Sequence, residues 1–170
     1  MKTFIITLCV LTSIVVLGEK TVTRVGIYDS RAIAVAYCNS TFIRDYLRGI
    51  RTRYNAAKAA GDKKGMAKVE AEAKEHQKRL HTQGFSTASV DDILQHIKER
   101  LPEIKKKAAV DVIISKWDKK SLTKYKAAPR KDVTMLLVMA YKPNARTLKI
   151  VKQMQTKKPI LLKQAENIKD

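Results

Sequence analysis

The chain has 170 residues, with 35 Lys plus Arg against 16 Asp plus Glu and a formal net charge of +19. Apolar residues make up 45% and charged residues 30%, enough to bury a core beneath a heavily solvated surface. Wholesale disorder, a collagen-like repeat and a multipass membrane protein are thereby excluded. The positive excess predicts anionic partners without choosing among nucleic acid, lipid and acidic protein.

A short basic start, Met1-Lys2-Thr3, precedes an apolar run over 4–17 interrupted only by Thr7, Thr12 and Ser13. That run is too short to cross a bilayer comfortably and ends at Gly18, so 1–18 is predicted to be a cleavable secretory signal. Cys9 follows Leu8 inside the run, a poor match to a lipid-attachment site. Export would place the protein in the periplasm and leave Cys38 as its one cysteine, with no internal disulfide possible. Its apolar surroundings predict a small buried hydrophobe.

Residues 21–28 are rich in β-branched side chains and predict a first strand. Asp29-Ser30 offers an N-cap for a helix over 31–38, and Asn39-Ser40-Thr41 opens a longer one. In the latter, Ile43, Tyr46, Leu47, Ile50, Tyr54 and Ala57 recur at helical spacing. Gly61 and Gly65 bracket a charged break, after which Met66, Val69, Ala73, His76 and Leu80 mark a coiled-coil-like seam over 66–83. So short a turn makes 41–83 an antiparallel helical hairpin.

A third helix over 90–108 carries Pro102 inside it, which predicts a kink. Val110 to Ser115 read as a second, central strand, and 122–125 as a weaker strand hairpinned to it. Asp132 is placed as the cap of a helix over 133–141, and Pro143-Asn144 start another over 145–154. The expected architecture is α+β: a small β body with coiled-coil-like arms and C-terminal helices. Its predicted boundaries are a leader over 1–18, a domain over 19–155 and a basic tail over 156–170.

No grouping points to catalysis. His76 and His81 are five residues apart on different helical faces, and His96 stands alone, which gives no zinc-binding helix. Asp91-Asp92 at a helix start favour the macrodipole. A phosphate loop, a nucleophile elbow and a Cys–His pair are all lacking, so the expectation is a non-enzyme with no cofactor and no metal. The charge is the informative feature. Residues 119–170 hold 14 Lys plus Arg against Asp132, Glu166 and Asp170. Arg44, Arg48 and Arg51 form a ridge on one helix face. These three, with Lys157 and Lys158, are the candidate contacts for an anionic or acidic client. An aromatic content of 6% argues against nucleic acid.

Four segments carry a likeness. They are Arg24-Val25-Gly26-Ile27-Tyr28-Asp29-Ser30, the charged hairpin 41–83, Val110-Asp111-Val112-Ile113-Ile114, and Asp132-Val133-Thr134. In this order they resemble the Skp (OmpH) family of periplasmic chaperones, and uncharacterised exported proteins of that organisation. The resemblance implies a trimeric β body whose helical arms hold unfolded outer-membrane or other envelope proteins, with a basic surface that meets anionic membrane. The arms here are shorter than the family's, and residues after Met154 extend beyond its usual end. A second expectation is an envelope structural or adaptor protein that holds anionic lipid or cell-wall polymer through its Lys-rich C-terminal third.

Overall fold

The computed structural model describes residues 22–168, so the leader predicted over 1–18, with Cys9, lies outside the described residues. The chain is a mixture of helix and strand. In order it forms β1 (Val25–Tyr28), α1 (Ser30–Cys38), α2 (Thr41–Ala59) and α3 (Lys63–Phe85). Then come α4 (Asp91–Leu94), a 3₁₀ segment (Gln95–Arg100), α5 (Leu101–Ala108), β2 (Val112–Ser115) and α6 (Lys119–Lys124). β3 (Arg130–Asp132), α7 (Thr134–Met139), α8 (Ala145–Gln155) and α9 (Leu162–Glu166) complete it.

The three strands make a parallel sheet in the order β2-β1-β3, with Val25 opposite Val112 on one side and Arg130 on the other. Parallel neighbours need crossovers, supplied here by α1 to α5 between β1 and β2, and by α6 between β2 and β3. The central strand is therefore β1, not the segment after Val110. At Gly26 an added Cβ would lie 3.1 Å from methyls of both Val110 and Val133, so these side chains close over the strand more tightly than a larger residue allows without their shifting.

Three local expectations are corrected. Residues 122–125 are not a strand: the Asp118 carboxylate accepts a hydrogen bond from Ser121 N at 3.0 Å and caps α6. The partner strand is instead β3, whose three residues are all exposed. The third helix is broken at Ile97 (φ −121°, ψ 15°), and Pro102 sits in the first turn of α5, where its missing N–H costs nothing. Asp132 ends β3 and still steadies the start of α7, since its carboxylate accepts from Thr134 N at 2.7 Å.

The core is built around α1. Ala32, Ile33, Ala34 and Ala36 are fully buried, against Val90, Ile93, Leu137, Val138 and Val151 from the helices around it. Burying one such Ile or Leu contributes about 2 kcal/mol. α2 and α3, linked through Gly61 at φ +65°, touch through Arg53 and Glu72 and through Tyr46 and His76. The segment read as a tail folds back on α3: Ile160 N donates to Phe85 O at 3.0 Å, Ser86 Oγ donates to Ile160 O at 2.7 Å, and Ala165 is buried.

Candidate functional site

The five predicted contacts fall in two places. Arg44, Arg48 and Arg51 are exposed along α2, where Arg48 pairs with Asp45. Arg53, on the opposite face of the helix from that ridge, grips Glu72 of α3 with two hydrogen bonds of 2.7 Å. Beside it the Tyr46 and His76 rings stack at 4.0 Å. From Arg44 through Lys68 no residue is buried, so the distal part of the α2–α3 pair stands clear of the core.

Lys157 and Lys158 lie elsewhere, beyond the end of α8. Both line a cavity of about 310 Å³ together with Arg31, Val35, Phe85, Ile150 and Met154. A second cavity of about 410 Å³, reaching Leu80 and Cys38, shares Val35, Gly84, Phe85 and Ile150 with the first. The common walls make them one groove between α1, the end of α3 and α8. Phe85 and Ile150 remain 51% and 38% exposed at its rim. Cys38 is exposed rather than a buried core residue, because it ends α1 on the side this groove leaves open. Desolvation by the surrounding protein nevertheless pushes its thiol up to about 11.

The basic end of the groove is fixed from below by a buried charge centre. Asp29 caps α1 through Arg31 N (3.1 Å) and takes Arg31 Nε (3.1 Å) and Nη2 (2.8 Å) on its carboxylate. Lys116 Nζ, arriving from the end of β2, lies 2.6 Å from the same carboxylate. Arg31 Nη1 then donates to the carbonyl of Lys157 at 2.9 Å, which ties the start of the C-terminal segment to α1. Burial alone would raise the Asp29 carboxyl. Hydrogen bonds and charge from Arg31 and Lys116 outweigh it and hold the group below its ordinary value. The single tryptophan, Trp117, stacks under both cations, with Lys116 Nζ 4.7 Å and the Arg31 guanidinium carbon 5.3 Å from its ring. In the sequence Asp29 reads as a helix cap alone. Asp-Ser-Arg at the end of a β-rich segment is the signal that could have marked it as an ion pair.

A smaller crevice of about 240 Å³ opens at the carboxyl ends of β1 and β2, lined by Tyr28, Ser89, Ser115, Asp91, Asp118 and Trp117 among others. Burial, reinforced by the charges of Asp91 and Asp118, pushes the Tyr28 phenol far above its ordinary value. Asp91 and Asp92 occupy the first turn of α4. The His96 ring lies 5.1 Å from those of both Tyr37 and Phe42. Among the described residues no group of His, Cys, Asp and Glu could hold a metal ion, and no helix is long and apolar enough to cross a membrane. Set beside known proteins, the chain matches no family model, no curated protein and no solved structure.

Proposed function

We propose that the protein is a non-catalytic, exported holdase that captures unfolded envelope polypeptides in the manner of the OmpH/Skp chaperones. In this reading α2 and α3 are an antiparallel, coiled-coil-like arm of a periplasmic homo-oligomer. The observation that carries it is the stretch from Arg44 to Lys68, in which side chains such as Leu47, 52% exposed, share a surface with Arg44, Arg48 and Arg51. A helix pair that presents apolar groups between arginines can hold an unfolded acidic segment by many weak contacts. The test is suppression of aggregation of a denatured outer-membrane protein by the purified chain. Suppression should be strong at about 50 mM salt, fall at about 0.5 M where charges are screened within a few ångströms, and drop in the triple variant R44E/R48E/R51E. Equal aggregation with and without the protein at low salt would sink the reading.

One observation favours a second reading, in which the Lys-rich C-terminal third meets anionic lipid or cell-wall polymer. Leu161 and Leu162 are 71% and 48% exposed, with Lys157, Lys158 and Lys163 close by in sequence. An apolar knob among lysines suits an anionic bilayer surface. Co-sedimentation with phosphatidylglycerol vesicles should weaken in L161S/L162S, and sedimentation unchanged by that variant would refute the role of the knob.

A further inference from the structure

The groove between α1, α3 and α8 combines features that an ordinary surface dent lacks. Val35, Leu80, Phe85, Ile150 and Met154 supply most of its wall, with Gln153 near the C-terminal segment and Asn39, Gln77 and His81 at the far end. Neither cavity is lined by any Asp or Glu, while one end carries Lys157, Lys158 and the inner Arg31. Arg31 is 2% exposed, and its three hydrogen-bonding nitrogens are already committed to Asp29 and the Lys157 carbonyl, so the basic end is held rigid before any ligand arrives. The Ile160 N–H, which donates to the Phe85 carbonyl, and the Ser86 hydroxyl, which donates to the Ile160 carbonyl, fix the other side of the same mouth. A preformed concave site of a few hundred Å³, mostly apolar with a few convergent polar groups, is the usual form of a small-ligand site.

The asymmetry selects the ligand. A mainly apolar trough that ends in the exposed lysines Lys157 and Lys158 matches a molecule with a linear hydrocarbon tail and one anionic head. A cationic amphiphile would place its charge against lysines. A neutral one would leave the basic end without a partner. The geometry points to a binding site for the monomeric anion of a medium- or long-chain fatty acid. Its carboxylate would sit at Lys157 and Lys158, and its chain would run past Val35, Phe85 and Ile150 toward Leu80 and Cys38. This site is separate from the α2 ridge, so it stands or falls apart from the holdase reading.

Two residues report on it directly. Cys38 lines the far cavity, and a bound chain would cover it. Trp117 packs against Arg31 and is the sole tryptophan, so filling the basic end should alter its emission. The experiment uses the full chain with submicellar octanoate, decanoate and dodecanoate. It reads iodoacetamide labelling of Cys38 by peptide mass at pH 8.5, together with Trp117 fluorescence. Affinity should rise by up to about fourfold per added methylene, the factor that corresponds to burying a CH₂ group. Dodecanoate should slow Cys38 labelling, whereas dodecyltrimethylammonium at the same concentration should not. The exposed pair K157E/K158E should lose about tenfold in dodecanoate affinity, with dodecanol binding unchanged. I150E should lose protection of Cys38 altogether while keeping its far-UV circular dichroism.

No protection by any of the three acids would overturn the proposal, as would equal protection by the cationic amphiphile. Binding of phosphatidylglycerol vesicles in the absence of protection by soluble dodecanoate would overturn it too, since it would assign the anion affinity to the surface knob.

Discussion

The Arg31 guanidinium lies 2.8 Å from the Asp29 carboxylate two residues before it, and the two side chains are only 3% and 1% exposed. The pair closes the end of β1, caps α1 and reaches the C-terminal segment through the Lys157 carbonyl. Three parts of the chain therefore share one desolvated interaction. Because Lys116 also engages Asp29, the cluster holds two cations and a single carboxylate. Removing the carboxylate leaves both cations facing each other with no counter-charge.

Asp29→Ala should accordingly cost about 3–5 kcal/mol, the range for breaking a buried pair by deleting one member. Lys116→Ala should cost much less, because its side chain is 34% exposed and Arg31 still holds the carboxylate. Urea unfolding at pH 7 measures both, and equal losses in the two variants would contradict the ranking. The pH dependence has a definite sign. The folded Asp29 carboxyl is held below its ordinary value, so its contribution is fully present above about pH 4 and disappears as pH falls through the folded value. Over that acid range the wild-type unfolding midpoint should fall more steeply than that of Asp29→Asn.

Much of this fold is legible where a local signal is enough. Asp29 and Asn144 cap helices at the residues expected from their side chains, and Gly61 breaks the chain where φ +65° is needed. β3 was not legible because Arg130, Lys131 and Asp132 have no apolar face; their backbone pairing with β1 is their only reason to be a strand. After Trp117 the sequence carries a cap signal, Asp118 followed by Ser121, but Thr123 and Tyr125 favour a strand instead. Of the groove, the sequence shows Lys157 and Lys158 alone. Phe85 and Val35 lie far from them along the chain and join them only through tertiary packing, which no periodicity records.

Two glycines test opposite sides of the packing argument. Gly26→Ala forces a methyl to within 3.1 Å of Val110 and Val133 and should cost about 1–3 kcal/mol through overpacking. Gly49 lies in α2 with nothing within 4 Å of a new Cβ, so Gly49→Ala should gain up to about 1 kcal/mol from helix propensity. Thermal melts of the two variants should move in opposite directions. A stabilised Gly26→Ala would show that Val110 and Val133 can give way freely.

Ala109 ends α5 in the left-handed region, at φ 53° and ψ 51°. A Cβ there costs roughly 1–2 kcal/mol, part of which glycine forfeits through its freer unfolded chain. Ala109→Gly should therefore stabilise by about 0.5–1 kcal/mol, visible as a raised urea midpoint with an unchanged slope. A lowered midpoint would mean that the Ala109 methyl makes packing contacts worth more than the strain it carries.

The stack of Tyr46 on His76 makes the α2–α3 contact sensitive to pH. Burial first, and then the charge of Arg79, hold the His76 imidazole below its ordinary value against the opposing pull of Asp92 and Glu72. A depressed folded pKa means that the neutral ring is the form the folded state prefers. The stabilisation is thus present above the ordinary imidazole value of about 6.5 and is lost as pH falls below it through the folded value. Protonation puts a cation against the Tyr46 ring and under the repulsion of Arg79, on a helix pair whose distal half has no buried residue to hold it. Amide exchange in α2 should accelerate between pH 7.5 and pH 5.5, after correction for intrinsic rates, while exchange in α1 stays constant. His76→Phe keeps the ring and removes the titration, so its α2 protection should be the same at both pH values. A wild-type profile that stays flat across this window would show that His76 contributes nothing to the α2–α3 contact that protonation can remove.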